Sequence, residues 1–110
     1  METKLVITAL AALAQETRLA IFRLLVETGP QGLAVGKIGE KLGIAPATLS
    51  FHLKELGHAG LVVSRQESRF IIYSANFKTM MGLITFLTEN CCGGNPCVPI
   101  SSPSTLTIEE

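Results

Sequence analysis

Residues 37–75, KIGEKLGIAPATLSFHLKELGHAGLVVSRQESRFIIYSA, form the stretch that decides the fold. A short helical segment ends at Gly43, a glycine typical of the position just past a helix C-terminus. Pro46 suits the first turn of a second helix, because its missing N–H would be unpaired there in any case. The apolar stripe of that second helix is formed by Leu49, Leu53 and Leu56. The pattern predicts two helices joined by a tight turn.

The same stretch continues with a change of composition that predicts a β-hairpin. Gly60 followed by Leu61 is typical of a Schellman helix end. β-Branched and aromatic residues then lie on both sides of a polar tip at residues 66–68, with Arg65 and Arg69 flanking the turn. We therefore predict a helix-turn-helix with a wing, in which the second helix enters the major groove of DNA and the hairpin arginines meet phosphates.

The remaining segments predict three more helices. The first runs from near Glu2 to Leu13, and the second covers residues 15–27. The stripe of the second helix is formed by Leu19, Phe22 and Val26. Residues 29–36 contain a Gly-Pro breaker pair and are predicted to be a loop, and a last helix begins near Phe77. The predicted fold is mainly α with a small β-hairpin: a winged helix-turn-helix of five helices plus a two-stranded wing.

The last predicted helix is too apolar for a helix with one side exposed to solvent. Its apolar residues cover more than one face: Met80, Met81, Leu83, Ile84, Phe86 and Leu87. Such a helix lies either in a deep cleft of its own domain or in a dimer interface. In a chain this short we favour a homodimer, with Leu10 and Leu13 of the first helix contributing to the interface.

The size and charge of the chain exclude few classes of function. The chain has 110 residues and a formal net charge of zero, which argues against a strongly basic nucleic-acid binder. The charge is uneven, however, because residues 1–88 carry nine Lys and Arg against six Glu, or +3. A dimer would double that positive field, so charge gives weak support for a DNA partner.

The N-terminal fifteen residues share an apolar run with signal peptides, but Glu2 offsets Lys4 and the run is short. We favour an amphipathic helix, with Val6, Leu10 and Leu13 on one face. No run of about 18 apolar residues exists, so we expect no membrane association. Three cysteines clustered near one end do not form a disulfide framework, and a cytoplasmic location fits them better.

The chain resembles the ArsR (ArsR/SmtB) family of metalloregulatory repressors. The resemblance is carried by ETRLAIFRLL at residues 16–25, by LSFHLKELGHAGLVVSRQESRFIIYSAN at residues 49–76 and by the terminal cysteines. It covers about Leu10 to Cys97. It implies a homodimeric winged helix in which the first and last helices form the interface and operator DNA is the partner.

The resemblance also implies a set of DNA contacts. By position, the contacts of the recognition helix fall on Ala47, Thr48, Ser50, Phe51 and Lys54. Hydroxyls at positions 48 and 50 suit base edges or phosphates, and Lys54 suits a phosphate. Arg65 and Arg69 of the wing would meet phosphates too. We expect His52 to be a half-buried structural residue rather than a base reader, and Arg18 and Arg23 to be surface or ion-pair residues.

All three cysteines, Cys91, Cys92 and Cys97, lie within seven residues. Structural zinc requires four ligands, and the only histidines are His52 and His58. In the family that this chain resembles, zinc-sensing sites consist of Asp and His residues on the last helix, but this chain has no Asp. A disulfide switch is a second interpretation: adjacent cysteines make a strained bridge, whereas Cys92 and Cys97 can close across GGNP. Unremarkable surface thiols are a third.

Three soft thiolates without a fourth ligand match trivalent arsenic or antimony. The chain is similar to arsenite-responsive members whose thiols follow the last helix. We therefore expect a repressor, not an enzyme and without a catalytic cofactor, that arsenite or antimonite releases from operator DNA. Residues 1–92 would form the DNA-binding and dimerisation domain, and residues 93–110 a flexible segment completing the thiolate site. A thiol redox-sensing regulator and a thiol metallochaperone are the alternatives.

Overall fold

A computed structural model describes residues 1–94 of the chain. Its helices are α1 (Thr3–Leu13), α2 (Glu16–Thr28), α3 (Val35–Leu42), α4 (Pro46–His58) and α5 (Phe77–Thr88). Its strands are β1 (Leu33–Ala34), β2 (Val62–Glu67) and β3 (Phe70–Ala75). The predicted fold, mainly α with five helices and a winged helix-turn-helix, is confirmed.

The sheet has one strand more than the sequence predicted. β1 lies inside the segment predicted to be a loop, and it pairs antiparallel with β3, which gives the strand order β1-β3-β2. Gly32 permits this approach, because it has φ +71° and an added Cβ would lie only 2.5 Å from the carbonyl oxygen of Tyr73. The backbone therefore comes close to β3 just before β1 begins, and the wing is the outer part of a three-stranded sheet.

The hairpin of β2 and β3 is tighter than predicted. The register runs from Val62 opposite Ala75 to Glu67 opposite Phe70, which leaves only residues 68 and 69 for the turn. Ser68 takes a left-handed conformation there, with φ 60°. Arg69 thus lies in the turn itself, at the tip of the wing, rather than beside it.

The turn between α3 and α4 has the predicted geometry. Gly43 is left-handed, with φ 66°, at the end of α3, and Pro46 occupies the first turn of α4. The amide of Ile44 donates to the carbonyl of Gly39 at 3.0 Å, which closes the turn. The one difference is that α3 begins at Val35, two residues before the predicted start.

The predicted Schellman end of α4 is also confirmed. The amide of Leu61 donates to the carbonyl of Leu56 at 3.0 Å, and the amide of Gly60 donates to that of Gly57 at 3.0 Å. This end is then joined to α5: Asn76 caps α5 by accepting from the Thr79 amide, and its Nδ2 donates to the carbonyl of Gly60.

One core joins all five helices to the base of the sheet. The fully buried side chains of the largest volume are Ile21, Leu25, Ile38, Leu49, Leu53, Leu56 and Leu61. The predicted stripe of α2 was partly wrong, because Leu19 is exposed while Ile21 and Leu25, four residues apart, face the core. Ile21 and Leu25 are buried because α2 packs against α1, α3, α4 and β3, and these neighbours together decide which side of the helix faces the core.

No helix within residues 1–94 is by itself long and apolar enough to cross a membrane. α1 and α2 pass that test of length and composition only when they are joined, and the chain bends by 102° between them.

Candidate nucleic-acid interface

α4 separates its residues into a buried and an exposed face. The buried side chains are Leu49, His52, Leu53 and Leu56. The predicted DNA contacts of this helix all lie on the exposed face: Ala47, Thr48, Ser50, Phe51 and Lys54. This division follows from the 3.6-residue period, because the buried positions recur every three or four residues. The helix is held by its apolar stripe while its other side chains meet solvent.

A cleft of about 560 Å³ lies between α4 and the wing. Ser50 and Lys54 line it from α4, and Arg69 lines it from the wing tip, together with Phe70 and Ile71 of β3. The structure therefore brings these three predicted contacts to one concave surface. Ala47, Thr48 and Phe51 share the exposed face of the helix but do not line the cleft.

The two wing arginines differ in the hydrogen bonds that their side chains make within the chain. The Arg65 Nη2 donates to the carbonyl of Gln31 at 2.7 Å, and its Nε donates to the Glu67 carboxylate at 2.7 Å. Within residues 1–94, Arg69 makes neither a hydrogen bond nor an ion pair and is exposed at the wing tip. Arg69 therefore offers a whole guanidinium to an anion, whereas Arg65 also ties β2 to the loop that precedes β1.

His52 is a structural residue, as predicted. It is only 9% exposed, and its Nδ1 lies 3.2 Å from Nη1 of Arg18 on α2. Its ring also meets that of Phe51 edge to face, with 5.2 Å between the ring centroids. The imidazole therefore belongs to the packing behind α4 and does not face the cleft.

The interpretation of Arg18 as a surface residue was wrong. Its Nε donates to the carbonyl of Ala12 at 2.7 Å while its Nη1 contacts His52, so its guanidinium bridges α1 and α4. A single arginine on a helical pattern carries no sequence signal for this role. Arg23 does match its prediction, because it forms an exposed ion pair with Glu27 at 3.6 Å.

The first two cysteines lie just past the last helix. α5 ends at Thr88, and Cys91 begins a short 3₁₀ turn, Cys91–Gly94. Asn90 and Cys92 are left-handed, with φ 57° and 54°, so helical geometry is broken on both sides of Cys91. As a result the two Sγ atoms lie 3.7 Å apart, whereas consecutive helical side chains diverge by about 100°.

A distance of 3.7 Å is too long for a disulfide bond between Cys91 and Cys92. Neither cysteine is a free thiol in the structure. The third predicted ligand, Cys97, lies outside the described residues. Within residues 1–94 no group of three His, Cys, Asp or Glu side chains is placed to hold a metal ion.

The first and last helices expose a large apolar surface. The large apolar side chains exposed on α1, on α5 and at the N-terminus are Met1, Leu5, Ile7, Leu10, Met81, Ile84 and Leu87. On α5 only Leu83 is buried. The N-terminus lies beside α5, since a Cβ added at Gly82 would lie 3.4 Å from the sulfur of Met1, two residues before α1. Exposed apolar surface of this extent marks an interaction site.

Sequence comparison places a known domain over the same elements. A helix-turn-helix domain family matches residues 13–65, from the end of α1 through α4 and into the wing. An uncharacterised HTH-type transcriptional regulator, YceK of Bacillus subtilis, is 47% identical over 58 residues, which are 53% of this chain and 57% of that protein. The chain spans 57% to 63% of the length of the curated relatives it matches.

Solved structures are similar over a larger share of the chain. HlyU from Vibrio cholerae is 32% identical, with a TM-score of 0.63, over 79% of this chain and 97% of that one. A structure of reduced HlyU is similar as well. The homodimeric winged helix-turn-helix domain of Mb0332 from Mycobacterium bovis, a possible ArsR-family regulator, is 26% identical. Its TM-score is 0.61 over 87% of this chain and 89% of that one.

Proposed function

Because this chain belongs to the helix-turn-helix transcriptional regulators, we propose that it is an ArsR-family repressor that binds operator DNA as a homodimer. We propose further that trivalent arsenic or antimony, held by Cys91, Cys92 and Cys97, releases it from that DNA. The observation that carries the DNA-binding part is the cleft where Ser50, Lys54 and Arg69 meet.

α4 enters the major groove in this proposal, with its exposed face toward the bases. Thr48 and Ser50 offer hydroxyl groups that donate to or accept from base edges, and Lys54 pairs with a phosphate. Arg69, at the wing tip, reaches a phosphate beyond the groove, because its guanidinium has no competing partner within residues 1–94. Phe51 and Ala47 supply apolar contact of the kind that suits a thymine methyl group.

The homodimer places two copies of α4 on one DNA duplex. The exposed apolar side chains of α1 and α5 form its interface, since a single chain leaves them in water. The homodimeric state of the Mb0332 domain supports this assignment. A two-fold axis through these helices predicts an operator of two inverted half-sites about one helical turn apart.

The donor set supports the inducer site. Cys91 and Cys92 are adjacent and lie just past the end of α5. Three thiolates suit a soft ion with a pyramidal preference better than they suit zinc, which takes four ligands. The proposal concerns the reduced protein, as in a reducing cytoplasm, and Cys97 supplies the third thiolate.

Release requires that the ion binds better to the form with low DNA affinity. A coupling of about 1–3 kcal/mol is sufficient for a useful switch. The site follows directly on α5, which carries Ile84 and Leu87 of the dimer surface. Ordering three thiolates around one ion therefore acts on the end of the dimerisation helix, and through it on the spacing of the two recognition helices.

A DNA-binding titration tests both parts of the proposal. The upstream DNA of the gene itself is the probe, and arsenite, antimonite and zinc are added with a reductant present. Arsenite should release the wild-type protein, whereas Cys91→Ser, Cys92→Ser and Cys97→Ser should bind DNA normally and respond weakly or not at all. Release by zinc alone, or an arsenite response in the triple Ser variant, would refute the three-thiolate site. Absence of binding to any DNA would refute the repressor.

A thiol redox sensor is the second candidate, and a specific observation favours it. Neither Cys91 nor Cys92 is a free thiol in the structure, and one of the similar solved structures is of reduced HlyU. In this version an oxidant, rather than an ion, changes the end of α5. Titration with hydrogen peroxide in the absence of arsenite separates the two, because only a redox sensor should lose DNA under oxidation and recover it with reductant.

A further inference from the structure

The helix α4 lacks the side chains that usually identify bases through paired hydrogen bonds. Its thirteen residues, PATLSFHLKELGH, include no Arg, Asn, Gln or Asp. Arginine pairs with guanine, and Asn or Gln pairs with adenine, through two bonds each, whereas the hydroxyl groups of Ser and Thr bond to several bases. Thr48 and Ser50 can therefore position α4 on the bases, but their hydrogen bonds discriminate little between sequences.

The exposed charged and titratable side chains of α4 lie at its two clefts. Lys54 lines the cleft that also contains Arg69 of the wing, and it is the proposed partner of a phosphate. Glu55 and His58 line a different cleft of about 390 Å³, between α4 and α1. Hydrogen bonding by α4 therefore accounts for little of the sequence selectivity that a repressor needs.

Phe51 differs from the other large apolar residues of α4 in its exposure. The three leucines of this helix are at most 1% exposed, whereas Phe51 is 55% exposed. Ala47 and Thr48 lie four and three residues before it, which places them on the same side of the helix. The methyl groups of these two residues and the ring of Phe51 thus form an apolar patch on the face proposed to enter the major groove.

The ring of Phe51 contacts a buried residue on its inner side. It meets the imidazole of His52 edge to face, with 5.2 Å between the ring centroids and 68° between the ring planes. His52 is itself buried behind α4. This contact restricts the ring before DNA binds, so less conformational freedom is lost on binding. The patch is therefore preorganised for an apolar group of the DNA.

The apolar group that unmodified DNA presents in the major groove is the methyl group on C5 of thymine. We infer that Phe51 is the specificity-determining residue of the DNA-binding face and that it selects a 5-methylpyrimidine. This inference rests on the proposed DNA-binding function. A side chain that contacts only the methyl group accepts 5-methylcytosine as well as thymine, because both carry that group at the same edge. A hydrogen-bonding side chain would separate the two bases, since thymine presents an acceptor at position 4 and cytosine a donor.

The first test removes single methyl groups from the DNA. The probe is the segment of upstream DNA that the wild-type protein protects from nuclease digestion, and each thymine in it is replaced by uracil in turn. We expect one sensitive position in each half-site, with a loss of affinity of about fourfold for one buried methyl group and about 15-fold when both half-sites are changed. At these positions 5-methylcytosine should give about fourfold tighter binding than cytosine.

The second test removes the ring from the protein. Phe51→Ala should bind the thymine and uracil probes equally, while keeping most of its affinity for random DNA, which phosphate contacts provide. Ser50→Ala is the matched control: it changes an exposed hydrogen-bonding residue of the same helix and should keep the full difference between thymine and uracil. Circular dichroism and sedimentation identify the variants that are folded and dimeric, and the wild-type probe series decides the test for any variant that is not folded.

Three binding results would overturn the inference: no replacement of thymine by uracil weakens wild-type binding, 5-methylcytosine binds no better than cytosine, or folded Phe51→Ala keeps the difference between thymine and uracil. A folded Phe51→Ala protein that is monomeric would overturn it as well, because the ring would then belong to the dimer interface. If the wild-type protein protects a DNA segment and one of these results is obtained, only the role of Phe51 is wrong. If it binds no DNA, the proposed function fails and the inference fails with it.

Discussion

The helices α4 and α5 bury their apolar side chains to different extents. α4 buries its whole leucine stripe within the chain and exposes polar or small side chains together with Phe51. α5 has nearly the same length, yet only Leu83 is buried, and Met81, Ile84 and Leu87 are exposed. The helix-turn-helix is therefore complete in one chain, while the surface of α1 and α5 is not.

This difference predicts which substitutions act on folding and which act on assembly. A residue of the α4 stripe should change the stability of the monomer, because its neighbours belong to the same chain. An exposed apolar residue of α5 should leave the monomer folded and change association. The predictions that follow separate these cases, and they are arranged from the largest expected effect to the smallest.

Leu53→Ala should have the largest effect. Leu53 is 1% exposed in the centre of the core, and removal of such a side chain costs about 2–5 kcal/mol of the free energy of unfolding. Urea unfolding followed by circular dichroism measures this loss. Phe51→Ala is the control, because Phe51 is 55% exposed on the same helix and should lose less than about 1 kcal/mol. Equal losses at both positions would show that the two faces of α4 are not distinct.

The helix-turn-helix could be predicted from the sequence because its signals are local. Gly43, Pro46 and the Gly60-Leu61 pair each correspond to one backbone conformation, and the structure has all of them. β1 was missed because two residues are too few for a periodic pattern, and the strand exists only through its pairing with β3. The stripe predicted for α2 was partly wrong because packing against four neighbouring elements, not spacing alone, decides which side of this helix is buried.

Leu87→Glu should have the next largest effect, on assembly. Leu87 is 59% exposed in the single chain, so the monomer should remain folded, but a carboxylate at the dimer interface would be desolvated. We expect a monomer in sedimentation and operator binding weaker by about 100-fold, because two linked half-sites bind more tightly than one.

Thr85→Glu is the matched control for this prediction, since Thr85 is an exposed polar residue of the same helix. It should remain dimeric. A Leu87→Glu protein that is monomeric and still binds operator DNA tightly would show that the helix-turn-helix functions without the second copy.

The two parts of the candidate site, the exposed face of α4 and the contacts of the arginines and cysteines, could be predicted to different degrees. The DNA contacts on α4 were predicted from the resemblance to a known family, and the structure shows that all five of these positions are exposed. The bonds of Arg65 to Gln31 and of Arg18 to His52 each join residues 34 positions apart in the sequence, and no local pattern records such a contact. The closeness of the Cys91 and Cys92 sulfurs depends on two left-handed residues, which the nearby glycines only suggest.

Asn76→Ala should have a moderate effect, because Asn76 joins the two regions. It caps α5, and its Nδ2 donates to the carbonyl of Gly60 at the end of α4. Loss of both bonds should reduce the free energy of unfolding by about 1–2 kcal/mol. Lys78→Ala, at an exposed position of the same helix, serves as the control in the same urea titration. If the two variants unfold at the same urea concentration, the link between the regions contributes no stability.

The smallest expected effect distinguishes the two arginines of the wing. Arg69 has no partner within residues 1–94, so Arg69→Ala should leave thermal unfolding unchanged and remove one phosphate contact. Binding should then weaken by about three- to tenfold on operator and random DNA alike, and the slope of log K against log salt should fall by about 0.9.

Compared with Arg69→Ala, Arg65→Ala should have a larger effect on stability and a smaller effect on DNA binding. Its guanidinium already binds the Gln31 carbonyl and the Glu67 carboxylate, so its loss should lower the melting temperature by a few degrees. The salt slope should change by less than in Arg69→Ala, because bonds within the protein compete with a phosphate for the same donors. If Arg65→Ala flattens the salt dependence as strongly as Arg69→Ala does, the contact with Gln31 is exchanged for a phosphate when DNA binds. The wing would then be reorganised by DNA rather than preformed.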